Sequence, residues 1–179
     1  MHLLNRKANN LVTALRSLLL KKKSGILKKW LGEIFDTYPA DTSRFLKAEK
    51  DMFANPVGHT IAANIEHLLN GLIKKGDTAS LAAYLEQIIR IRAVQDFTPS
   101  QAVSFINSLK TVITGQLETE IYKYNLRDEW GEFQTRIDSL TQCACELHRE
   151  MKQRIDIIRT KEREKSEKFL TTLMESQVA

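Results

Sequence analysis

The sequence predicts an all-α protein. Apolar residues recur at spacings of three and four along almost the whole chain, and no stretch alternates as a strand would. Only 3 prolines and 7 glycines occur in 179 residues, which excludes collagen-like and turn-dense all-β chains. At Asn55-Pro56 and Thr98-Pro99 a capping residue stands directly before a proline, which is a helix start signal. We therefore predict about seven helices joined by short connections.

Two helices and a shorter one are predicted before residue 50. The first should end at residues 21–25, where three lysines precede a Ser-Gly pair. Ser24 is the expected N-cap of the second helix, which should stop before Pro39. Asp41 or Thr42 then opens a short turn or helix. The apolar residues are Leu4, Leu11, Leu15, Leu18 and Leu19 in the first helix, Ile26, Leu27, Trp30, Leu31, Ile34 and Phe35 in the second, and Phe45 and Leu46 in the third.

Three helices are predicted in the middle of the chain. Asn55 caps the first, which Gly76 should end, and Asp77 or Thr78 caps the second. Residues 98–101 form a capping box that starts the third, which reaches towards residue 121. Their apolar residues are Val57, Ile61, Ile65, Leu68, Leu69, Leu72 and Ile73, then Leu81, Leu85, Ile88 and Ile89, then Ala102, Val103, Phe105, Ile106, Leu109, Val112, Ile113 and Leu117.

A long last helix follows a break at residues 125–128. Its apolar residues are spaced almost as a heptad, which is typical of a seam between two helices. We predict a homodimer through this seam, while the alternative is that the seam packs inside its own domain. The candidate dimer seam comprises Trp130, Phe133, Ile137, Leu140, Ala144, Leu147 and Met151.

One domain is predicted over residues 1–158, followed by a charged helical extension over residues 159–179. Gly58 should allow another helix to approach closely. The side chains expected to be mostly buried in the core are Phe53, Ile61, Ile65, Leu85, Ile88, Phe105, Leu109, Phe133 and Ile137.

The charge is uneven along the chain. The net charge is +5, yet residues 1–32 hold eight basic groups and no acidic one, so the rest is mildly acidic. Nucleic-acid binding is therefore not predicted, and no helix-turn-helix pattern or aromatic platform supports it. The basic N-terminal helix could touch an anionic membrane or an acidic partner, but packing on the domain is the favoured interpretation. Stable membrane insertion is not expected, and two cysteines one residue apart suit a reducing cytoplasm.

No catalytic motif is present, so an enzyme is not predicted. There is no glycine-rich phosphate loop and no nucleophile elbow. Cys143, Cys145 and His148 lie on the last helix, where the two cysteines point about 200° apart and cannot form a disulfide. An alternative hypothesis is a small-molecule or redox/metal-binding protein that uses these three residues or an internal pocket. Ordinary thiols beside a packed seam are the favoured interpretation, and no metal site is predicted.

Arg92 is unusual because it falls on or near an apolar helix face. Asp96 lies four residues later and could pair with Arg92 along the helix. An arginine on such a face must be paired or partly solvated. We expect Arg92 to clamp the start of the next helix or to line a pocket.

Two segments of the sequence resemble the RsbRD N-terminal domain family. One runs Lys50-Asp51-Met52-Phe53-Ala54-Asn55-Pro56-Val57-Gly58-His59-Thr60-Ile61, and the other runs Ile91-Arg92-Ala93-Val94-Gln95-Asp96-Phe97-Thr98-Pro99-Ser100-Gln101-Ala102-Val103-Ser104-Phe105. The resemblance covers roughly residues 8–125, and the last helix in general character. It implies a globin-like helical domain that dimerises and acts in the stress response as a sensor or interaction module without haem. In typical RsbR-type proteins of the stressosome, this domain is followed by a phosphorylatable output domain. This chain stops at Ala179, so the resemblance leads us to expect that a signal passes to another, unidentified signalling protein.

From the residues and the resemblance together, no cofactor is predicted. The segment 78–97 contains no histidine that could serve as a proximal haem ligand, and His59 could at most stand on the distal side. The candidate site for a ligand or partner comprises Asn55, His59, Arg92, Gln95 and Asp96.

Overall fold

The computed structural model describes the backbone of residues 2–74 and 78–178 and the side chains of residues 14–74 and 79–171. All regular structure in these ranges is helical, which confirms the all-α prediction. Six helices are described, one fewer than predicted. They are α1 (His2–Phe35), α2 (Ala40–Ala48), α3 (Pro56–Ile73), α4 (Thr78–Val94), α5 (Pro99–Lys123) and α6 (Arg127–Val178).

The first two predicted helices are one continuous helix, so the predicted break at residues 21–25 and the Ser24 cap were wrong. Leu19 and Ile26 are seven residues apart and both are buried, so a single apolar face runs through the lysine segment. The lysines remain helical because they project from this face, and Lys23 pairs with Glu66 of α3. Packing of the common face therefore prevails over the local Ser-Gly signal.

The predicted helix starts at Asn55 and Thr98 are confirmed. The Asn55 side-chain oxygen accepts from the Gly58 amide at 2.8 Å. The Thr98 hydroxyl accepts from the Gln101 amide while the Gln101 side chain accepts from the Thr98 amide, which completes the capping box. The predicted end at Gly76 and the cap at Asp77 lie outside the described residues, and the alternative cap, Thr78, is the first residue of α4.

The short helix α2 is also confirmed, but it starts at Ala40, before the predicted caps Asp41 and Thr42. Its N-cap position is held by Pro39, and no side chain caps it. Leu46 of α2 is buried, whereas Phe45 is exposed.

Most of the predicted core is confirmed, with Phe53 as the exception. Its side chain is 89% exposed in the connection between α2 and α3. Asp51 explains this position, because its carboxylate accepts from the Phe53 amide and its carbonyl accepts from the Asn55 amide. This hydrogen-bonded turn keeps Phe53 on the outside. The residues at most 1% exposed, as predicted, are Ile61, Ile65, Leu85, Ile88, Phe105, Leu109, Phe133 and Ile137.

Helix α1 packs on α3 and α5, while α6 packs on α4 and α5. The side chain of Trp30 in α1 is fully buried, and its indole nitrogen donates to the Phe105 carbonyl of α5 at 2.7 Å. The two rings stack with their centroids 6.3 Å apart. This contact joins the C-terminal part of α1 to the beginning of α5.

The proposed dimer seam on α6 is largely covered by the chain itself. Its residues are buried, or partly buried against the same core, over the length that contacts α4 and α5. Side chains 156–171 are all exposed, so α6 continues beyond the packed body. The burial of the seam therefore supports the alternative of packing within one domain.

Two glycines lie where an added β-carbon would meet a close neighbour, in one case within the same helix and in the other on a different helix. A β-carbon at Gly58 would lie 2.5 Å from the side-chain amide of Asn55, so the close neighbour is the N-cap of the same helix and not another helix as expected. A β-carbon at Gly71 would lie 2.1 Å from a Leu81 methyl carbon, so the close approach of α3 and α4 occurs there.

We expect Gly58→Ala to destabilise the protein by roughly 1–2 kcal/mol, because the methyl group displaces the Asn55 cap. The matched control is Gly115→Ala in the interior of α5, where a β-carbon meets nothing within 4 Å. The control should be neutral or stabilising by up to about 1 kcal/mol, since alanine favours helix. Urea denaturation of both variants measures this, and equal effects would contradict the role given to Asn55.

Candidate functional site

Arg92, near the end of α4, has a side chain with 0% exposure. One terminal nitrogen donates to the Gln101 carbonyl at 2.9 Å, and the other to the Thr37 hydroxyl at 3.0 Å. A longer contact of 3.5 Å joins the second nitrogen to the Ile34 carbonyl. Arg92 therefore clamps the start of α5, as predicted, and also holds the end of α1.

Aromatic rings enclose the guanidinium of Arg92. Its central carbon lies 4.8 Å from the ring centre of Phe97, 5.1 Å from Phe105 and 5.7 Å from Tyr38. No carboxylate pairs with Arg92 among the described residues, and its Nε atom has no hydrogen-bond partner there. Burial lowers the pKa of Arg92, partly offset by Tyr38, and burial raises the pKa of Tyr38.

The predicted pair between Arg92 and Asp96 was wrong. Asp96 is exposed and carries a positive φ of 57° at the end of α4. The Phe97 amide donates to the Arg92 carbonyl and the Asp96 amide to the Ala93 carbonyl, which is the Schellman pattern of helix ends. This left-handed turn takes Asp96 off the helix path that the four-residue spacing assumed.

Asp96 instead contacts α6. Its carboxylate lies 2.7 Å from the Lys152 ammonium and 3.3 Å from the Arg159 guanidinium. Hydrogen bonds from Lys152, first, and Arg159 hold the pKa of the Asp96 carboxyl below its usual value. His148 of α6 is 2% exposed, and its Nε2 atom lies 3.2 Å from the Phe97 carbonyl. The turn between α4 and α5 is thus attached to α6 at three points.

Asn55 and His59 lie elsewhere, beside a cleft between α1, α2 and α3. Asn55 is 3% exposed and donates to the Leu46 and Glu49 carbonyls besides capping α3, so its polar groups are used inside the fold. His59 is exposed, with its Nε2 atom 3.0 Å from the Lys50 carbonyl.

The five candidate residues therefore do not form one site. Asn55 and His59 line the cleft, Arg92 is in the core, and Gln95 and Asp96 are exposed on the turn before α5. Nothing in their arrangement pairs a nucleophile with a base. Arg92 is a structural clamp, and Asp96 connects the turn to α6. Asn55 and His59 form one side of the cleft.

The Cys143, Cys145 and His148 group is also dispersed. Cys143 is partly buried and Cys145 is exposed, and both are free thiols. Burial raises the pKa of Cys143, with Glu146 and Glu150 adding to the effect, so its thiol is poorly activated. Across the described part of the chain, no cluster of three or more His, Cys, Asp or Glu side chains is placed to hold a metal ion.

Several residues of these contacts were missed from the sequence. Thr37 and Tyr38 lie in the segment between α1 and α2, and Lys152 and Arg159 have the pattern of ordinary charges on an exposed helix face. The available signal for the first pair was an arginine on an apolar helix face, which requires acceptors or rings if it is buried. Lys152 and Arg159 are seven residues apart and lie on one helix face, but nothing in the sequence identifies Asp96 as their shared partner.

The fold and these contacts define an all-helical domain in which no helix of the described residues is long and apolar enough to cross a membrane. Residues 24–163 match the family described as the RsbT co-antagonist protein rsbRD N-terminal domain. This match covers well over half of the chain, so the chain belongs to that family, and the resemblance is confirmed. No curated protein and no solved structure matches the chain.

We expect Arg92→Lys to destabilise the protein by roughly 3 kcal/mol at neutral pH, because one ammonium cannot replace both arms of the guanidinium in a buried site. Burial should lower the lysine pKa in the folded state below that in the unfolded state. The unfolded state then binds more protons above the folded pKa, so the deficit should shrink as the pH rises from about 7 to about 9.5.

Urea denaturation of this variant and of the wild type at both pH values measures the effect. The control is Arg90→Lys, whose arginine is exposed and pairs with Glu86 on the same helix. The control should change stability by less than about 0.5 kcal/mol at either pH. A deficit for Arg92→Lys that does not vary with pH would contradict a buried ammonium at this position.

Proposed function

We propose that the protein is a non-catalytic sensory or regulatory module that binds a signal or a partner protein, dimerises, and acts in stress signalling in the cytoplasm. The observation that carries this proposal is membership of the RsbRD N-terminal domain family over residues 24–163. The absence of a catalytic motif from the sequence agrees with it. A globin-like fold without haem is part of the same proposal.

In this proposal α6 carries the output. Its first part is packed in the core, and its exposed part begins near residue 156. The turn between α4 and α5 contacts both parts of α6. Phe97 contacts His148 in the packed part, and Asp96 contacts Arg159 in the exposed part. A change in the core near Arg92 would therefore reach the exposed helix through a turn only four residues away.

The exposed part of α6 also offers a dimer contact to replace the covered seam. Ile158 and Phe169 are 60% and 65% exposed. Eleven residues separate them, so they lie about 20° apart around the helix and share one face. Two copies of this face would bury apolar side chains that are solvated in a single chain.

We expect the wild-type protein to be a dimer at micromolar concentration by light scattering coupled to size-exclusion chromatography. The double variant Ile158→Gln/Phe169→Gln should be monomeric, because it removes the apolar side chains of the shared face. The control Thr160→Gln/Thr171→Gln changes two exposed residues on the opposite face and should remain a dimer. A monomeric wild type, or equal masses for both variants, would count against this dimer.

The ion pairs between Asp96 and the two basic residues of α6 give a separate prediction. Asp96→Asn keeps a residue that tolerates a positive φ but removes the charge that binds Lys152 and Arg159. Amide hydrogen exchange over residues 152–160 should become faster, while protection in α3 and α5 stays unchanged.

The matched control is Asp156→Asn, which removes an exposed carboxylate from α6 itself and should leave exchange near the wild-type level. Acid should act like the variant: the pKa of Asp96 is lowered in the folded state, so its contribution is present above the unfolded pKa and is lost as the pH falls through the folded pKa. Unchanged exchange in Asp96→Asn would remove this turn from the proposed output path.

A further inference from the structure

A cleft of about 420 Å³ lies between α1, the end of α2 and the beginning of α3. Its volume is within the range of small-molecule sites, roughly 300–1,000 Å³. The α1 wall carries Lys28, Leu31, Gly32 and Phe35, at the spacing of a single helix face. Leu31 and Phe35 give this wall an apolar surface.

The rim of the cleft is mainly basic. Three lysines, Lys28, Lys47 and Lys50, line it with one glutamate, Glu49. Lys47 pairs with Asp36, whereas the Lys50 ammonium donates to the Lys47 carbonyl. No carboxylate among the described residues forms an ion pair with Lys28 or Lys50, so two ammonium groups at the rim are available to an anionic ligand.

Gly32 leaves space at the centre of the α1 wall. A β-carbon built there meets nothing within 4 Å, although the residue is in the interior of a helix. Glycine at such a position costs about 1 kcal/mol relative to alanine, and no close neighbour in the described structure requires it. The open space above Gly32 is therefore part of the cleft and is available to a ligand.

We propose that this cleft binds a small amphiphilic carboxylate, with its apolar body on Leu31 and Phe35 and its carboxylate at Lys28 and Lys50. The apolar wall favours a hydrocarbon or aromatic body, and the unpaired ammonium groups favour one negative charge. A phosphate fits less well, because no arginine lines the cleft and the Asn55 side chain already occupies the Gly58 amide at the start of α3.

This inference rests on the proposed function in one respect, since it assigns the place where a chemical signal enters the sensory module. Binding itself stands on the geometry of the cleft. The cleft is tested by a ligand titration and the dimer by light scattering, so either can fail without the other.

The probe is 4-phenylbutyrate, titrated into the ¹⁵N-labelled full-length protein and followed by amide chemical shifts. The charge-reversed 4-phenylbutylamine and the neutral 4-phenylbutanol are the comparison ligands. We expect saturable shifts at Gly32, Gly58 and His59 with a dissociation constant of about 1 mM or lower. The amine should bind at least tenfold more weakly, and the alcohol should fall between the two.

Gly32→Leu fills the cleft from within the helix and should abolish the saturable shifts. Leucine is a better helix former than glycine, and a β-carbon at this position meets nothing within 4 Å, so this variant should fold. Gly115→Leu, also placed where a β-carbon meets nothing, is the matched control and should bind normally. Lys28→Gln/Lys50→Gln should weaken the carboxylate at least fivefold and leave the alcohol unchanged.

Three results would overturn the proposal. They are no saturable shift for 4-phenylbutyrate up to about 10 mM, equal binding of the carboxylate and the amine, and undiminished binding to a folded Gly32→Leu variant. Shifts confined to residues outside the cleft would count as the first of these.

Discussion

The buried guanidinium of Arg92 constrains how three helices meet. It is anchored in α4, donates to the beginning of α5 through Gln101, and donates to the segment after α1 through Thr37. A buried cation without a carboxylate is costly unless its protons and its charge are matched in some other way. Here neutral oxygens and the faces of Tyr38, Phe97 and Phe105 provide that match. One side chain therefore connects the end of α1, the end of α4 and the beginning of α5.

At the end of α4 the chain passes from the core to the surface within a few residues. Arg92 is inside the core, and Asp96 faces outwards because the chain takes a left-handed turn between them. The same turn places the Phe97 ring on Arg92 and the Phe97 carbonyl near His148. Core packing and the attachment of α6 consequently share a single backbone turn.

The sequence was most informative where the structure depends on neighbouring residues. The caps at Asn55 and Thr98 require only local geometry, and both were predicted correctly. The continuity of α1 depends on Leu19 and Ile26 packing on distant helices, which no local signal contains. Phe53 shows the converse error, since an aromatic residue was expected in the core but a hydrogen-bonded turn keeps it outside.

In the candidate site, too, the contacts between distant residues were the ones that the sequence did not predict. Arg92 was recognised as unusual, but two of its partners, Ile34 and Thr37, lie more than 50 residues upstream, beyond the reach of helical spacing. The assumed partner Asp96 was wrong because four-residue spacing applies only while the helix continues. His59 and Asn55 were grouped with Arg92 by resemblance, whereas the tertiary structure places them at a different cleft.

Helix α6 is continuous from the core to Val178. At 1.5 Å per residue, the part beyond residue 155 extends about 34 Å. A stiff rod of this length converts a small rotation at its base into a large displacement at its tip, so a tilt of about 10° moves the far end by roughly 6 Å. That movement exceeds the spacing of one helical turn, and a partner at the tip would sense an angle set by ion pairs near the base.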